Sequence, residues 1–168
     1  RQEALITAQL EHPNIIPVYD LGRDESGRPL IAMKLVKGRL WSEVLREDPQ
    51  TMSIDDYLGK HLQILISVAQ AVAFAHSHHI IHRDLKPTQV MIGGFGEALL
   101  MDWGLAMAFG STDKVLASFP SLPLEPNSPL FNPVNPAGTP AFMAPEQTEK
   151  TPKRLGPWTD VYLLGGIL

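Results

Sequence analysis

Three residues, Asp84, Lys86 and Asp102, are of types suited to phosphoryl transfer. That reaction needs a carboxylate to orient a hydroxyl nucleophile and a cation beside the moving phosphate. It also needs metal ions, held by carboxylates, to neutralise the leaving charge. Asp84 and Lys86 stand two positions apart in "HRDLKPTQVMIG", and Asp102 follows an apolar run and precedes "WGL". Each alone could be a turn residue. Together they lie on loops that end rigid elements, where catalytic carboxylates usually lie.

The elements that must hold these loops are legible from periodicity. "RQEALITAQLEH" has Leu5, Ile6, Ala8 and Gln9 at helical spacing, and Pro13 ends that helix. "NIIPVYDLGRDESGRPLIAMKLVKG" predicts two strands about a polar turn, with Ile15, Ile16, Val18, Leu30, Ile31, Met33, Leu35 and Val36 as the apolar residues. "LWSEVLRED" is a short helix. The clearest helix, "IDDYLGKHLQILISVAQAVAFAHSHH", repeats Leu62, Leu65, Ala69, Val72 and Ala73 at three- and four-residue intervals. "VMIG" and "EALLM" flank "GGFG" as a hairpin. From Phe109 to Pro140 the prolines and polar residues show no helical or strand period, which predicts a long mobile loop. "MAPEQTEK" could make one or two helical turns, and "WTDVYLLGGIL" begins an apolar helix.

Composition sets the outer bounds. A chain of 168 residues with a 44% apolar fraction suits one domain or a large piece of one. A net charge of −4 points neither to nucleic acid nor to an anionic membrane surface. The absence of cysteine excludes disulfides and thiolate zinc sites and fits a reducing compartment. The stretch from Leu62 to Ala75, broken by Gln63, Ser67 and Gln70, is too short to span a bilayer. The N-terminus lacks a signal-peptide layout and reads as starting in mid-helix, as if cut from something longer.

In order, "HRDLKPTQV", "MDWGLA", "GTPAFMAPEQ" and "TDVYLLGGIL" resemble the catalytic loop, the DFG segment, the P+1 loop with APE, and the start of the central large-lobe helix of protein kinases. With "AQLEHPNIIPVYDLG" near the start, the resemblance is to bacterial serine/threonine kinases and covers essentially the whole chain. It implies an α+β, two-lobe fold, incomplete at both ends. It implies Asp84 as catalytic base, Lys86 near the γ-phosphate, and Asp102 with Gln89 as metal ligands. Met33 looks like the gatekeeper; Lys34, Leu35 and Val36 look like the hinge that meets adenine, with Met91 below the ring. Glu3 falls at the αC glutamate, and Thr139 at the P+1 threonine, which with Lys86 favours Ser/Thr acceptors. Arg83 is the arginine that an activation-loop phosphate can neutralise, and Ser111, Thr112, Ser118, Ser121 and Ser128 are the candidate phosphosites. The implied cofactors are ATP and Mg²⁺, with Mn²⁺ an alternative. The implied partners are protein substrates, with no nucleic acid and no membrane segment, in the cytoplasm or the cytoplasmic part of a longer anchored protein.

The departures from the pattern carry expectations too. The glycine-rich loop and the strand-three lysine lie outside the chain, and so does an arginine partner for Glu146, which leaves a lone buried carboxylate. A small-lobe strand pair without neighbours exposes an edge and predicts poor solubility. Gln89 stands where asparagine is expected, one methylene longer, and octahedral magnesium with oxygens at roughly 2.0–2.1 Å tolerates that poorly. His76, His78 and His79 end a helix, where cations are favoured, rather than forming a metal cluster. His82 is expected to be a packed structural histidine, with Trp103 against it if the indole N–H finds a partner. Two rivals remain open: a pseudokinase or truncated scaffold, and a small-molecule phosphotransferase, against which "GTPAFMAPEQ" argues.

Overall fold

A computed structural model describes residues 2–47, 52–119, 128 and 130–168, with the side chains of residues 2–5, 29 and 153 left out. Helix α1 (Gln2–Gln9) is followed by "LEHPN", whose proline bars its continuation. Ile6 and Leu10 bury their side chains in the main core. Strands β1 (Val18–Arg23) and β2 (Pro29–Met33) pair antiparallel. Their turn is built locally: Asp24 Oδ1 accepts the N–H groups of Ser26 and Arg28, and Gly27 takes a φ of 79°.

A second, three-stranded antiparallel sheet carries β3 (Gly38–Leu40), β5 (Val90–Gly93) and β6 (Ala98–Leu100), in the order β3–β5–β6. Gly38 is required here, because a Cβ would stand 2.1 Å from the carbonyl oxygen of Ile92. On its far side β6 is tied to the chain after α1. The Leu100 N–H donates to the Asn14 carbonyl (2.8 Å), and Ile16 N–H donates to that of Leu100 (3.1 Å). β3 and the short helix α2 (Trp41–Val44) complete this layer and follow directly on one another.

Helix α3 (Ile54–Ser77) is the central pillar. Ser53 caps it by accepting the Asp56 N–H, and Asp55 and Asp56 favour the positive end of its dipole. His61, Ile64, Val68, Ala71, Val72 and Ala75 form one buried stripe at three- and four-residue spacing. Of the five residues expected on the apolar face only Val72 falls in that stripe: Leu62 and Ala73 are exposed, and Leu65 and Ala69 are half-buried at its margin. By length and composition the 24-residue α3 is long and apolar enough to cross a bilayer, yet its stripe is packed in the core. Beyond it, β4 (Ile80–Ile81) pairs with β7 (Met107–Ala108), a two-residue ladder too short for periodicity to announce.

The expectation that 109–140 has no regular structure is corrected by α4 (Thr112–Ser118). The prolines begin only at Pro120, so seven residues are free to wind, and Val115 and Phe119, one turn apart, anchor that face in the core. Leu130 is also fully buried. Of the candidate phosphosites, Ser111 precedes α4, Thr112 and Ser118 bound it, and Ser128 accepts the Leu130 N–H. Ser121 lies outside the described residues. "MAPEQTEK" makes one 3₁₀ turn at Pro145–Thr148, and α5 (Pro157–Gly165) follows the resemblance.

Candidate active site

The catalytic-loop candidates are held from below by Asp160, on α5 and fully buried. Its carboxylate accepts the backbone N–H of His82 (2.8 Å) and of Arg83 (2.9 Å), and lies 2.8 Å from His76 Nε2. Two backbone donors and an imidazole offset the cost of burying that charge. Arg83 and Asp102 both adopt left-handed backbone, at φ 71° and 59°. Such a conformation costs a non-glycine residue roughly 1–2 kcal/mol, which the surrounding hydrogen bonds must offset.

The His82 ring is fully buried and packs on Trp103 at 4.7 Å between centroids. Its Nδ1 accepts the Asp84 N–H (3.3 Å), so Nε2 carries the hydrogen and donates to the Met101 carbonyl (3.1 Å). Both ring nitrogens are thus used by the neutral form. Burial pushes the His82 pKa below its ordinary value, against the opposing pull of Asp160. Among the described residues the Trp103 indole N–H finds no acceptor, so the packing occurs without the expected partner.

Above this base Asp84, Lys86, Gln89, Asp102 and Thr139 converge. Lys86 Nζ donates to Asp84 Oδ2 (2.7 Å) and to Thr139 Oγ1 (2.6 Å), and Thr139 Oγ1 donates to Asp84 Oδ1 (2.6 Å). Burial alone would raise the Asp84 carboxyl, but hydrogen bonds from Lys86, Thr139 and Gln89 hold it below the usual carboxylate value. Asp84 is therefore an ionised acceptor at neutral pH. Gln89 donates its amide N–H to Asp102 Oδ2 (2.6 Å) and, at 3.3 Å, to Asp84 Oδ2. One amide thus spans both carboxylates. An all-oxygen donor set of this kind fits a hard divalent cation such as Mg²⁺ or Mn²⁺, with Gln89 turned to present its oxygen.

Of the other candidates, Met91 is joined to this cluster through the β3–β5–β6 sheet, whereas Met33 lies on β2 of the separate two-stranded sheet and Glu3 on α1. Gln89 leads directly into β5, and its carbonyl accepts the Met101 N–H (2.8 Å). Met91 pairs with Leu40 on β3 and Leu99 on β6, and Lys34–Val36 lie just ahead of β3. Met33 and Leu35 are exposed, and the Lys34 N–H donates to the Pro17 carbonyl (3.0 Å). Glu3 lies on α1, with its side chain outside the described residues. The three helix-end histidines go separate ways: His76 to Asp160, and His78 Nδ1 to the Phe74 carbonyl, while His79 takes a φ of 62°. Glu146 corrects the expectation of a lone buried carboxylate, because it is half-buried and accepts the Thr159 hydroxyl at 2.7 Å.

Asp160 and Gln147 are positioning residues that motif spacing does not mark. A carboxylate inside the apolar "WTDVYLLGGIL" was the available signal for the first. Gln147 left none, since its contacts to Arg83 and Ala137 are set by tertiary placement.

An ionised aspartate touching a lysine and a second aspartate reached by the same Gln89 amide thus sit together above an anchored loop. The family described as protein kinase domain matches residues 1–168, and the chain belongs to that family. It is 38% identical over 177 residues to the serine/threonine-protein kinase PknD of Protochlamydia amoebophila, covering 99% of this chain and 18% of that protein. It is 33% identical to the DNA damage-responsive serine/threonine-protein kinase RqkA of Deinococcus radiodurans, over 99% of this chain and 22% of that one. To the serine/threonine-protein kinase PknB of Mycolicibacterium smegmatis it is 30% identical, over 100% of this chain and 24% of the relative. The chain thus spans about a fifth of the length of these curated relatives.

Proposed function

We propose that residues 1–168 form part of one protein kinase domain that, with its glycine-rich loop and strand-three lysine, transfers the ATP γ-phosphate to serine or threonine hydroxyls of proteins. The observation that carries this reading is the contact network of Asp84, Lys86 and Thr139 beside Asp102. Asp84 orients the acceptor hydroxyl and takes its proton as the oxygen–phosphorus bond forms and the β,γ-bridging bond breaks, the electron pair leaving with ADP. Lys86 donates to the oxygens of the transferred group. Asp102 and Gln89 would hold Mg²⁺ or Mn²⁺, which supplies neutralisation of phosphate charge. Met33, Lys34, Leu35, Val36 and Met91 would bound the adenine, and Glu3 would be the partner of the strand-three lysine. Protein substrates and a cytoplasmic setting follow from the same reading.

The test uses the protein expressed with whatever coding sequence flanks these residues. Labelled ATP should phosphorylate serine and threonine peptides well ahead of tyrosine peptides, and Asp102→Asn should abolish the signal. Equal use of tyrosine, or an undiminished Asp102→Asn variant, would overturn it. One feature favours a non-catalytic scaffold as second reading: Gln89 stands where the kinase pattern has asparagine, one methylene longer than octahedral magnesium favours. A folded protein that binds ATP without transfer would select that reading.

A further inference from the structure

The three histidines that end α3 stand between two parts of the chain. On one side is the segment that runs from β7 through α4. His78 lies between the rings of Phe74 on α3 (4.5 Å between centroids) and Phe119 at the end of α4 (5.7 Å). Its Nδ1 meets the Phe74 carbonyl at 2.9 Å, which fixes the plane of the ring. His79 packs on the edge of Phe109 at 5.4 Å and 79°, and its carbonyl accepts the Phe109 N–H (3.0 Å). His76 meets the same phenyl ring at 6.3 Å and 88°. On the other side is the catalytic loop. His76 Nε2 reaches Asp160 Oδ2 (2.8 Å), the oxygen that also accepts the His82 N–H (2.8 Å).

His79 holds a left-handed backbone, φ 62°, where glycine would be the less strained choice. Among the described residues its Nδ1 is buried without a hydrogen-bond partner, so packing on Phe109 is what holds the ring. Val115 and Phe119 are almost fully buried, and the Ala108 N–H donates to the Leu130 carbonyl (2.9 Å). The segment is therefore fastened where it leaves β7 and again at the end of α4. We propose that Phe109, with Phe119 beside it, is a positioning residue: it clasps the α3–β4 corner and, through His76 and Asp160, keeps the loop of His82, Arg83 and Asp84 in place for transfer. The physical path is short. Edge-to-face packing limits how the His76 ring can turn, and that ring fixes one oxygen of Asp160. The same carboxylate carries two backbone N–H groups of the loop. α4 is thereby linked to the loop, since Phe119 and Phe109 grip adjacent histidines.

For its kinetic arm the inference rests on the proposed kinase reading; the exchange arm does not. The test uses the protein expressed with its flanking coding sequence. Phe109→Leu keeps apolar volume and loses the ring edge. It should speed hydrogen exchange at the His82 and Arg83 amides by roughly three- to ten-fold, the worth of one aromatic contact. It should lower kcat by a similar factor with the KM for ATP unchanged. Phe109→Tyr keeps the ring at this half-buried position and should restore both. His79→Gly removes the neighbouring imidazole and relieves the backbone. A purely structural role therefore predicts equal or better protection there, whereas the clasp predicts faster exchange at the same two amides. That variant also decides if Phe109→Leu fails to fold, and parental exchange in it would overturn the inference. Parental exchange in Phe109→Leu, or leucine and tyrosine variants that behave alike, would do the same. So would faster exchange at an unchanged kcat, since the clasp would then serve the fold alone. Faster loop exchange in Phe109→Leu, made in a parent that shows no transferase activity, would sink the kinase reading and leave the clasp standing.

Discussion

Among the described residues, two hairpins share a similar local design and meet opposite fates. Strands β1 and β2 turn through Asp24 and Gly27, and β5 and β6 turn through Gly93 and Gly96. All three residues of β6 are buried, whereas Tyr19, Leu30, Ile31, Met33 and Leu35 on or beside the first hairpin are exposed. Turn chemistry writes both hairpins. What separates them is who lies alongside: β5–β6 has β3 on one edge, the Asn14–Ile16 segment on the other and α3 packed against it. The site follows the buried hairpin. Gln89 precedes it and Asp102 follows it by two residues, so the paired strands fix the spacing of these two residues.

The comparison is most sharply tested by matched truncations. Leu100→Ala, at a fully buried position, should cost about 2–5 kcal/mol by urea denaturation. Parental stability after that change would mean that the second hairpin is not the rigid one.

Acid should act next, and on the same region. His82 is held neutral with its pKa lowered by burial, so its contribution to stability is complete above the ordinary histidine value of about 6.5 and is lost as pH falls below it. His12 and His61, also lowered chiefly by burial, add to that slope. Asp84, whose pKa is lowered in the fold, loses its contribution later, as pH drops through and below about 3.9. Melting temperature measured from pH 8 to 3 should fall in those two stages, and His82→Gln should flatten the first.

A smaller effect is expected at position 89. Gln89→Asn shortens the arm by one methylene and should raise transfer several-fold at limiting magnesium, or roughly 1 kcal/mol in barrier. Manganese should narrow the difference. Identical rates would make Gln89 a neutral replacement. The smallest effect belongs to the open hairpin: Leu30→Ala should stay within about 0.5 kcal/mol of the parent, and a loss near that of Leu100→Ala would erase the contrast.

These effects track how much was legible in the sequence. Helix α3, both hairpins and the Asp84–Lys86–Asp102 grouping could be read from period, turn residues and motif order, because each is written in neighbouring residues. α4 was hidden because the prolines from Pro120 onward dominated the composition of its window, although Val115 and Phe119 were already spaced as a buried face. The β4–β7 ladder is two residues long and pairs segments far apart in sequence, so no local pattern could reveal it. Asp160 and Gln147 escaped for a related reason: their partners lie 77 and 64 residues away.

The most direct measurement of the central claim, that the cluster around Asp84 moves phosphate, compares transfer from labelled ATP by the parent and by Asp84→Asn, each with its flanking coding sequence. Melting and ATP affinity would be recorded in parallel. Asp84→Asn should fold and bind ATP as the parent does but transfer phosphate about 10²–10⁴-fold more slowly, the usual contribution of a positioned base. Transfer within a few-fold of the parent by a folded Asp84→Asn protein would contradict it.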